Sequence, residues 1–401
     1  MNMLLLSLLL SLAPTAQDPV PASAPAPAAQ DEAAKPADEL APYNELAVAL
    51  QEAIEAGEGK ALASCVDLDA LMTKATSGVE VDAGFRKGFE SGVKSTLLKS
   101  FGDSLQAALE QGGELRLLRV RTYDKQHRLL FRLLIPEGGV DYIEFSTKKS
   151  RSGRLRIDDW YQYATGEWVS ETLHHLYLPF AMQQQRGLVD RLLGKDQLLV
   201  KHWEKVSQLI ACVQQADLER GLEVYAELPE ELRHDKFILL QRLRLLVSNT
   251  EHADYMRVLE DLRRYCPGDP SNELHAIDFH YLRKDWARAA EAVRRLREAV
   301  GGDAYLDYLE STVLIMAEDW PAARKAVEKA IEIEPGYLDA HWTLVTIGLK
   351  QKDHAAVLAA LKRIDEHFEV EWNDLSGAEE YKDFVAAPQG AEWKSYLASK
   401  H

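Results

Sequence analysis

Leu46, Leu50 and Ile54 recur at every fourth position, which predicts an amphipathic helix that ends near Gly57 and Gly59. A second helical stretch covers Lys60 to Met72. A third runs from about Asp82 to Glu110, where Phe85, Phe89, Val93, Leu97, Phe101, Leu105 and Leu109 form one stripe, and Gly112 and Gly113 stop it. The period then changes. Residues 114 to 123, 128 to 135, 139 to 146 and 154 to 163 alternate or run apolar and are rich in Leu, Ile, Val, Tyr and Phe. Turn-prone Asp124, Gly138, Gly139, Ser152 and Gly153 separate them. Gaps this short mean hairpins, so residues 43 to 180 predict an α+β domain with helices packed on a four-stranded antiparallel sheet. Thr165, Gly166 and Glu167 read as a turn, and Ser170 as the cap of a helix over Glu171 to Leu178.

The pattern beyond 180 repeats itself. Asp285 with Trp286, Asp319 with Trp320, and Asp353 with His354 are spaced 34 residues apart. Four residues after each Asp come Ala289, Ala323 and Val357, and eight after come Val293, Val327 and Leu361. The same comb extended backwards meets Glu251 and Asp217, and it aligns Pro267 with Pro335 two periods apart. An acidic residue in the turn can cap the second helix of a hairpin, and a small residue four later lets the paired helices approach. The Pro then breaks the helix before the next repeat. Five hairpins are expected over 195 to 368, an all-α solenoid in which each hairpin buries the apolar face of its neighbour. This segment, within an array of 181 to 368, resembles the tetratricopeptide repeat family. Ala304 to Tyr337 is the nearest match through Asp319, Trp320, Ala323, Ala330 and Pro335, while Leu209, Leu243, Ile277 and Val345 stand where the family usually has a small residue. The resemblance implies a groove lined by first helices, with matching positions at Tyr281, Tyr305, Tyr308, Thr312, Trp342 and Thr346, and at Arg244, Asp278, Asp339 and Lys350. It implies a protein or peptide partner. Residues 369 to 401 carry Trp372, Leu375, Tyr381, Phe384, Trp393 and Tyr396 and are expected to form capping helices.

The first domain resembles the nuclear transport factor 2-like or cystatin-like α+β class in its order of elements alone. A cone-shaped fold of that kind can hold a pocket, so Asp158 and Asp159 beside Trp160 and Tyr161, followed by His174 and His175, are the candidate catalytic or ligand-binding set. In one reading an Asp orients a His as general base. In the other, one Asp faces solvent by strand alternation, its neighbour caps a helix or pairs with Arg154 or Arg156, and the histidines cover a helix surface. No nucleophile elbow, phosphate loop or metal-ligand spacing accompanies them, so no cofactor and no metal are expected.

Composition narrows the classes further. Hydrophobic residues make up 46% of 401 residues and charged residues 28%, which is ordinary for folded protein. A net charge of −17 argues against nonspecific binding to nucleic acid or to an anionic membrane. Met3 to Leu12 followed by Ala13, Pro14, Thr15 and Ala16 reads as a signal peptide over 1 to 16, and no later stretch is apolar enough to span a membrane. An Ala/Pro-rich linker over 17 to 42 follows. The expectation is an exported, periplasmic or secreted protein of the bacterial envelope. Cys65, Cys212 and Cys266 are too few and too scattered for a disulfide framework. Binding or scaffolding through the repeats is the leading function, with an enzyme or small-ligand pocket in the α+β domain as the alternative.

Overall fold

The computed structural model describes residues 37–400 apart from 79–81, 124–125, 136–138, 151, 185–193, 247–252, 369, 371 and 373. The expected signal peptide, nearly all of the linker, the turn residues Asp124 and Gly138, and Glu251 lie outside the described residues. The contacts divide the chain into two compact units, one ending at Asn272 and the other beginning at Glu273.

The first unit opens with α1 (Ala37–Glu55), which starts before the expected boundary at 43 and takes Pro42 inside it. The helix expected over Lys60 to Met72 is two helices, α2 (Gly59–Cys65) and α3 (Leu68–Ala75). Between them Val66 bridges Ile157 and the Asp67 N–H donates to the Ile157 carbonyl at 2.7 Å, so the chain is held extended at this point. Asp67 then caps α3 by accepting from the Ala70 N–H at 3.0 Å. The helix α4 (Ala83–Glu110) begins at Asp82, which accepts from Gly84 and Phe85.

Four long strands follow, β1 (Glu114–Tyr123), β2 (Gln126–Ile135), β3 (Gly139–Lys149) and β4 (Leu155–Gln162), antiparallel and in sequence order. The sheet has a fifth strand where only a turn was expected. Gly166, at φ +70°, reverses the chain so that β5 (Glu167–Trp168) pairs Glu167 with Gln162 and Trp168 with Tyr161. Leu129, Phe131 and Leu133 of β2, Ile143 and Phe145 of β3, and Trp160 of β4 meet Leu97, Phe101 and Leu105 of α4 in one core. The period-2 face of the sheet and the stripe of α4 thus bury each other.

The next helix, α5 (Val169–Gln184), belongs to two cores. Val169, Leu173, Tyr177 and Ala181 close the core under the sheet, whereas Leu178 and Met182 pack with Trp203, Leu209, Val224 and Phe237. The four-residue spacing of each set places it on its own face of the helix. The α+β part and the first hairpins thus share this element. They are α6 (Gly194–Lys201), α7 (Trp203–Gln215) with α8 (Leu218–Ala226), the short α9 (Glu230–Arg233), and α10 (Lys236–Leu246) with α11 (Ala253–Tyr265).

The helix α12 (Ser271–Leu282) contains the division between the units and pairs in sequence with α13 (Trp286–Val300). The hairpins α14 (Ala304–Met316) with α15 (Trp320–Ile333) and α16 (Leu338–Gln351) with α17 (His354–His367) complete five hairpins among the described residues. Two short 3-10 turns, α18 (Lys382–Ala386) and α19 (Pro388–Ala398) follow. Phe384 and Trp393 from these last helices are buried in the same core as Leu358, Leu361 and Ile364. The terminal hairpin is therefore capped, as the aromatic-rich tail predicts.

The repeat is written in the turns. Asp217, Asp285, Asp319 and Asp353 each precede a second helix and accept from the backbone N–H three residues on, at 3.2, 3.2, 3.2 and 3.1 Å. The residue before each Asp is left-handed: Ala216, Lys284, Glu318 and Lys352 have φ of 54°, 58°, 59° and 55°. Each Asp N–H also returns to the carbonyl five residues back, as from Asp319 to Leu314 at 3.0 Å. One turn thus ends the first helix with a Schellman-type bond and starts the second with a carboxylate cap. The positions four later, Ala289, Ala323 and Val357, are fully buried. At Gly221, the same position in α7/α8, a Cβ would come within 2.4 Å of the Leu245 side chain. That close approach is what the missing side chain allows. Leu209, Leu243, Ile277 and Val345 are all buried, so these larger residues are packed into the hairpins.

Candidate functional site

The repeat positions predicted to line a groove divide by depth. Arg244, Asp278, Thr312 and Thr346 occupy one position in successive hairpins, 34 residues apart. Arg244 is buried, Asp278 and Thr312 are half-buried, and Thr346 is exposed. Tyr308 and Trp342 form a second row and are both half-buried. In the third row Tyr305 is buried and Asp339 exposed, while Tyr281 and Lys350 are exposed.

Several of these side chains have structural partners. Tyr305, Tyr308 and Tyr337 cluster, with Tyr308 edge-on to Tyr337 at 5.0 Å between ring centroids. Trp342 meets Trp372 at 5.8 Å, and Trp372 meets Trp393 at 4.8 Å, so Trp342 helps seat the cap. Thr312 and Thr346 donate to the carbonyls of Leu309 and Trp342 in their own helices. The exposed candidates of the second unit are Tyr281 on α12, which stands edge-on to Trp286 at 5.3 Å, and Asp339, Thr346 and Lys350 on α16, while Tyr308 and Trp342 are half-buried. Burial pushes the Asp278 carboxyl up to about 6.

Arg244 belongs to the first unit. Burial holds its guanidinium below its ordinary value, and the nearby Glu167 carboxylate opposes that shift. Its depth was not visible in the spacing, because repeat position sets the face of a helix and leaves open what packs against it.

Asp158 and Asp159 follow the second reading in one respect only, for Asp159 caps a helix. Neither faces solvent: they are 5% and 3% exposed. Ser146 of β3 pairs with Asp159 and Thr147 with Ile157, so Asp158 sits in a bulge and the simple alternation fails there. Their cation is Lys74 of α3, with Nζ 2.9 Å from Asp158 and 3.6 Å from Asp159. Arg156, one of the expected partners, donates instead to the Ala63 and Ser64 carbonyls. Asp159 caps α5 from outside the helix, accepting from the Ser170 N–H at 3.1 Å and the Ser170 hydroxyl at 2.6 Å. Ser170 therefore lies within the first turn and is itself capped. Burial raises the Asp159 carboxyl to about 6 against the opposing pull of Lys74 and Ser170.

His174 is buried, with Nδ1 3.0 Å from the Ala75 carbonyl, and burial lowers its pKa to about 4. That geometry fits a neutral ring donating from Nδ1. His175 instead packs on Phe237 at 4.6 Å and places Nδ1 3.6 Å from Glu167. Each Asp and each His thus has a neighbour on α3, α5 or α10, while Asp158 Oδ1, His174 Nε2 and His175 Nδ1 are buried without a hydrogen-bond partner among the described residues. Among the described residues no group of three or more His, Cys, Asp or Glu could hold a metal ion. Cys65 and Cys212 are buried and Cys266 is half-buried, and no disulfide joins them among the described residues.

A buried network that sequence reasoning missed centres on Asp269. It accepts from the Tyr161 hydroxyl at 2.6 Å, from Lys236 at 2.5 Å and from the Ser271 hydroxyl at 2.6 Å. Burial works against ionisation here, but Lys236, Ser271 and Tyr161 hold the carboxyl below its ordinary value. Tyr161 lies in β4 and Asp269 follows α11, so no local motif announces the pair.

No family model matches the chain, and no curated protein matches it. Among solved structures, MamA 41-end from Desulfovibrio magneticus RS-1 aligns at 17% identity and a TM-score of 0.35, covering 41% of this chain and 94% of that one. The MamA RS-1 ArsTM double mutant aligns at the same identity and TM-score, over 41% and 93%. Among the described residues no helix is long and apolar enough to cross a membrane.

Proposed function

We propose that this chain is a non-catalytic protein-binding or scaffold protein of the bacterial cell envelope, which holds a protein or peptide partner on the first-helix face of its array. The observation that carries the reading is the exposure of Asp339, Thr346 and Lys350 on α16 and of Tyr281 on α12, first helices whose second-helix partners are each capped by an Asp. A rigid scaffold presenting an aromatic ring and mixed polar groups suits an extended peptide segment. The candidate acid and base groups of the α+β domain support the non-catalytic side, since Asp159 caps α5, Asp158 pairs with Lys74 and His174 meets the Ala75 carbonyl. Envelope location rests on the apolar run from Met3 to Leu12 with the small residues after it.

The test is retention of envelope proteins by the immobilised chain, compared with a Tyr281→Ala, Thr346→Glu, Lys350→Glu variant. A partner should be retained by the parent and lost at least about ten-fold by the variant, equivalent to about 1.4 kcal/mol, with the helical melting transition unchanged. Equal retention by both chains would sink the reading. Cell fractionation tests the location separately, and recovery of the full-length chain in the cytosol would refute export.

A further inference from the structure

Two arginines stand directly opposite each other on adjacent strands, Arg121 of β1 and Arg128 of β2. Like charges so placed repel, and a sheet tolerates them only with compensation. Here the compensation is one carboxylate. Arg128 Nη1 lies 3.4 Å from Glu144 Oε1 and Arg121 Nη1 lies 3.9 Å from Glu144 Oε2, with the Glu144 side chain 6% exposed. Among the described residues, two guanidiniums against one glutamate leave one positive charge over, within a chain whose net charge is −17.

The flat faces of these guanidiniums are occupied. Arg128 lies over the Tyr123 ring at 4.4 Å and over the Trp168 ring at 4.8 Å, and Arg121 lies over Tyr123 at 5.0 Å. Stacking fixes the planes and leaves the edges to make hydrogen bonds. Those edges are incompletely used: the Tyr163 hydroxyl engages Arg121, but Arg121 Nη1 and Arg128 Nε are buried without a hydrogen-bond partner of their own among the described residues. A buried donor without a partner costs about 1–3 kcal/mol. Arg121, Tyr123, Arg128 and Trp168 are nevertheless each partly exposed, so a ligand can reach the cluster from solvent.

We infer that Arg121 and Arg128, framed by Tyr123 and Trp168, form a binding site for a singly charged oxyanion carried on an apolar or aromatic body. The fork of a guanidinium matches the paired oxygens of a carboxylate or a phosphodiester. One negative charge balances the surplus left by Glu144, whereas a dianion would exceed it. The ring edges of Tyr123 and Trp168 give the apolar body something to pack on. This site lies on the sheet and is independent of the partner-holding face of the array.

Calorimetric titration of the full chain with benzoate and with diphenyl phosphate tests the site and separates its two oxyanion classes. Uncharged benzamide is the control. The expected result is saturable one-site binding of at least one anion, weakened ten-fold or more by Arg128→Met and by Arg121→Lys, with no binding of benzamide. The lysine variant keeps the charge and removes the fork, so it decides the matter if the methionine variant fails to fold. Absence of saturable binding by both anions, equal binding by the folded variants, or equal binding of benzamide overturns the assignment.

Discussion

His174, in the second turn of α5, and Asp159, which caps the start of that helix from β4, are pushed by burial in opposite directions on the pH scale. A buried His whose pKa falls from 6.5 to about 4 binds its proton less readily in the folded chain than in the unfolded one. Stability is therefore lost as pH falls from about 6.5 towards 4, by on the order of 3 kcal/mol for that span. The carboxyls of Asp141 and Asp159, raised to about 6, act in the other sense and lose stability as pH rises from about 4 to 6. Replacing His174 by Asn keeps a donor for the Ala75 carbonyl and removes the titration. Urea midpoints at pH 4.5 and pH 7 should then show the variant losing less on acidification than the parent. An identical loss in both would show that His174 is not buried in its neutral form. The residue scale was also where sequence reading was weakest. Asp158 and Asp159 were found by position, but an inserted residue at the bulge and a lysine on α3 decide what they do, and neither leaves a local pattern.

The elements themselves were more legible. Strands β1 to β4 fall within a few residues of the expected limits because period-2 alternation and turn residues both mark them. β5 escaped because two residues have no period. The hairpin turns were visible as Asp at a fixed spacing, and the structure adds a strained partner to each. Glu318 and its equivalents adopt a conformation that costs a side-chain-bearing residue about 1–2 kcal/mol. Glu318→Gly is accordingly expected to stabilise the second unit by about 0.5–1 kcal/mol, and Asp319→Ala to destabilise it by about 1 kcal/mol through loss of the cap. Urea titration read by helical circular dichroism measures both. Destabilisation by the glycine would contradict the assignment of strain to the turn.

At the scale of the whole molecule, α5 in the first unit and the C-terminal cap in the second each tie together elements of their own unit. The first joins two cores through opposite faces, and sequence reading placed a domain boundary near 180, within it, because a helix shared by two cores has the same periodicity as one that ends a domain. The cap covers the last hairpin through Phe384 and Trp393, while Asp365 binds it through Trp372 and Tyr396 at 2.8 Å each, and through Lys400. A chain ending at Phe368 should expose that apolar surface, melt at lower temperature and self-associate, as read by light scattering after gel filtration. A monodisperse chain with unchanged melting would mean that the tail is dispensable. The partner-holding claim is tested most directly by photo-cross-linking in living cells, with a benzophenone amino acid placed at Thr346 on a first helix or at exposed Lys325 on a second helix. A discrete protein adduct from position 346 that is absent from position 325 is the predicted result; no adduct from 346, or the same adduct from both, would contradict it.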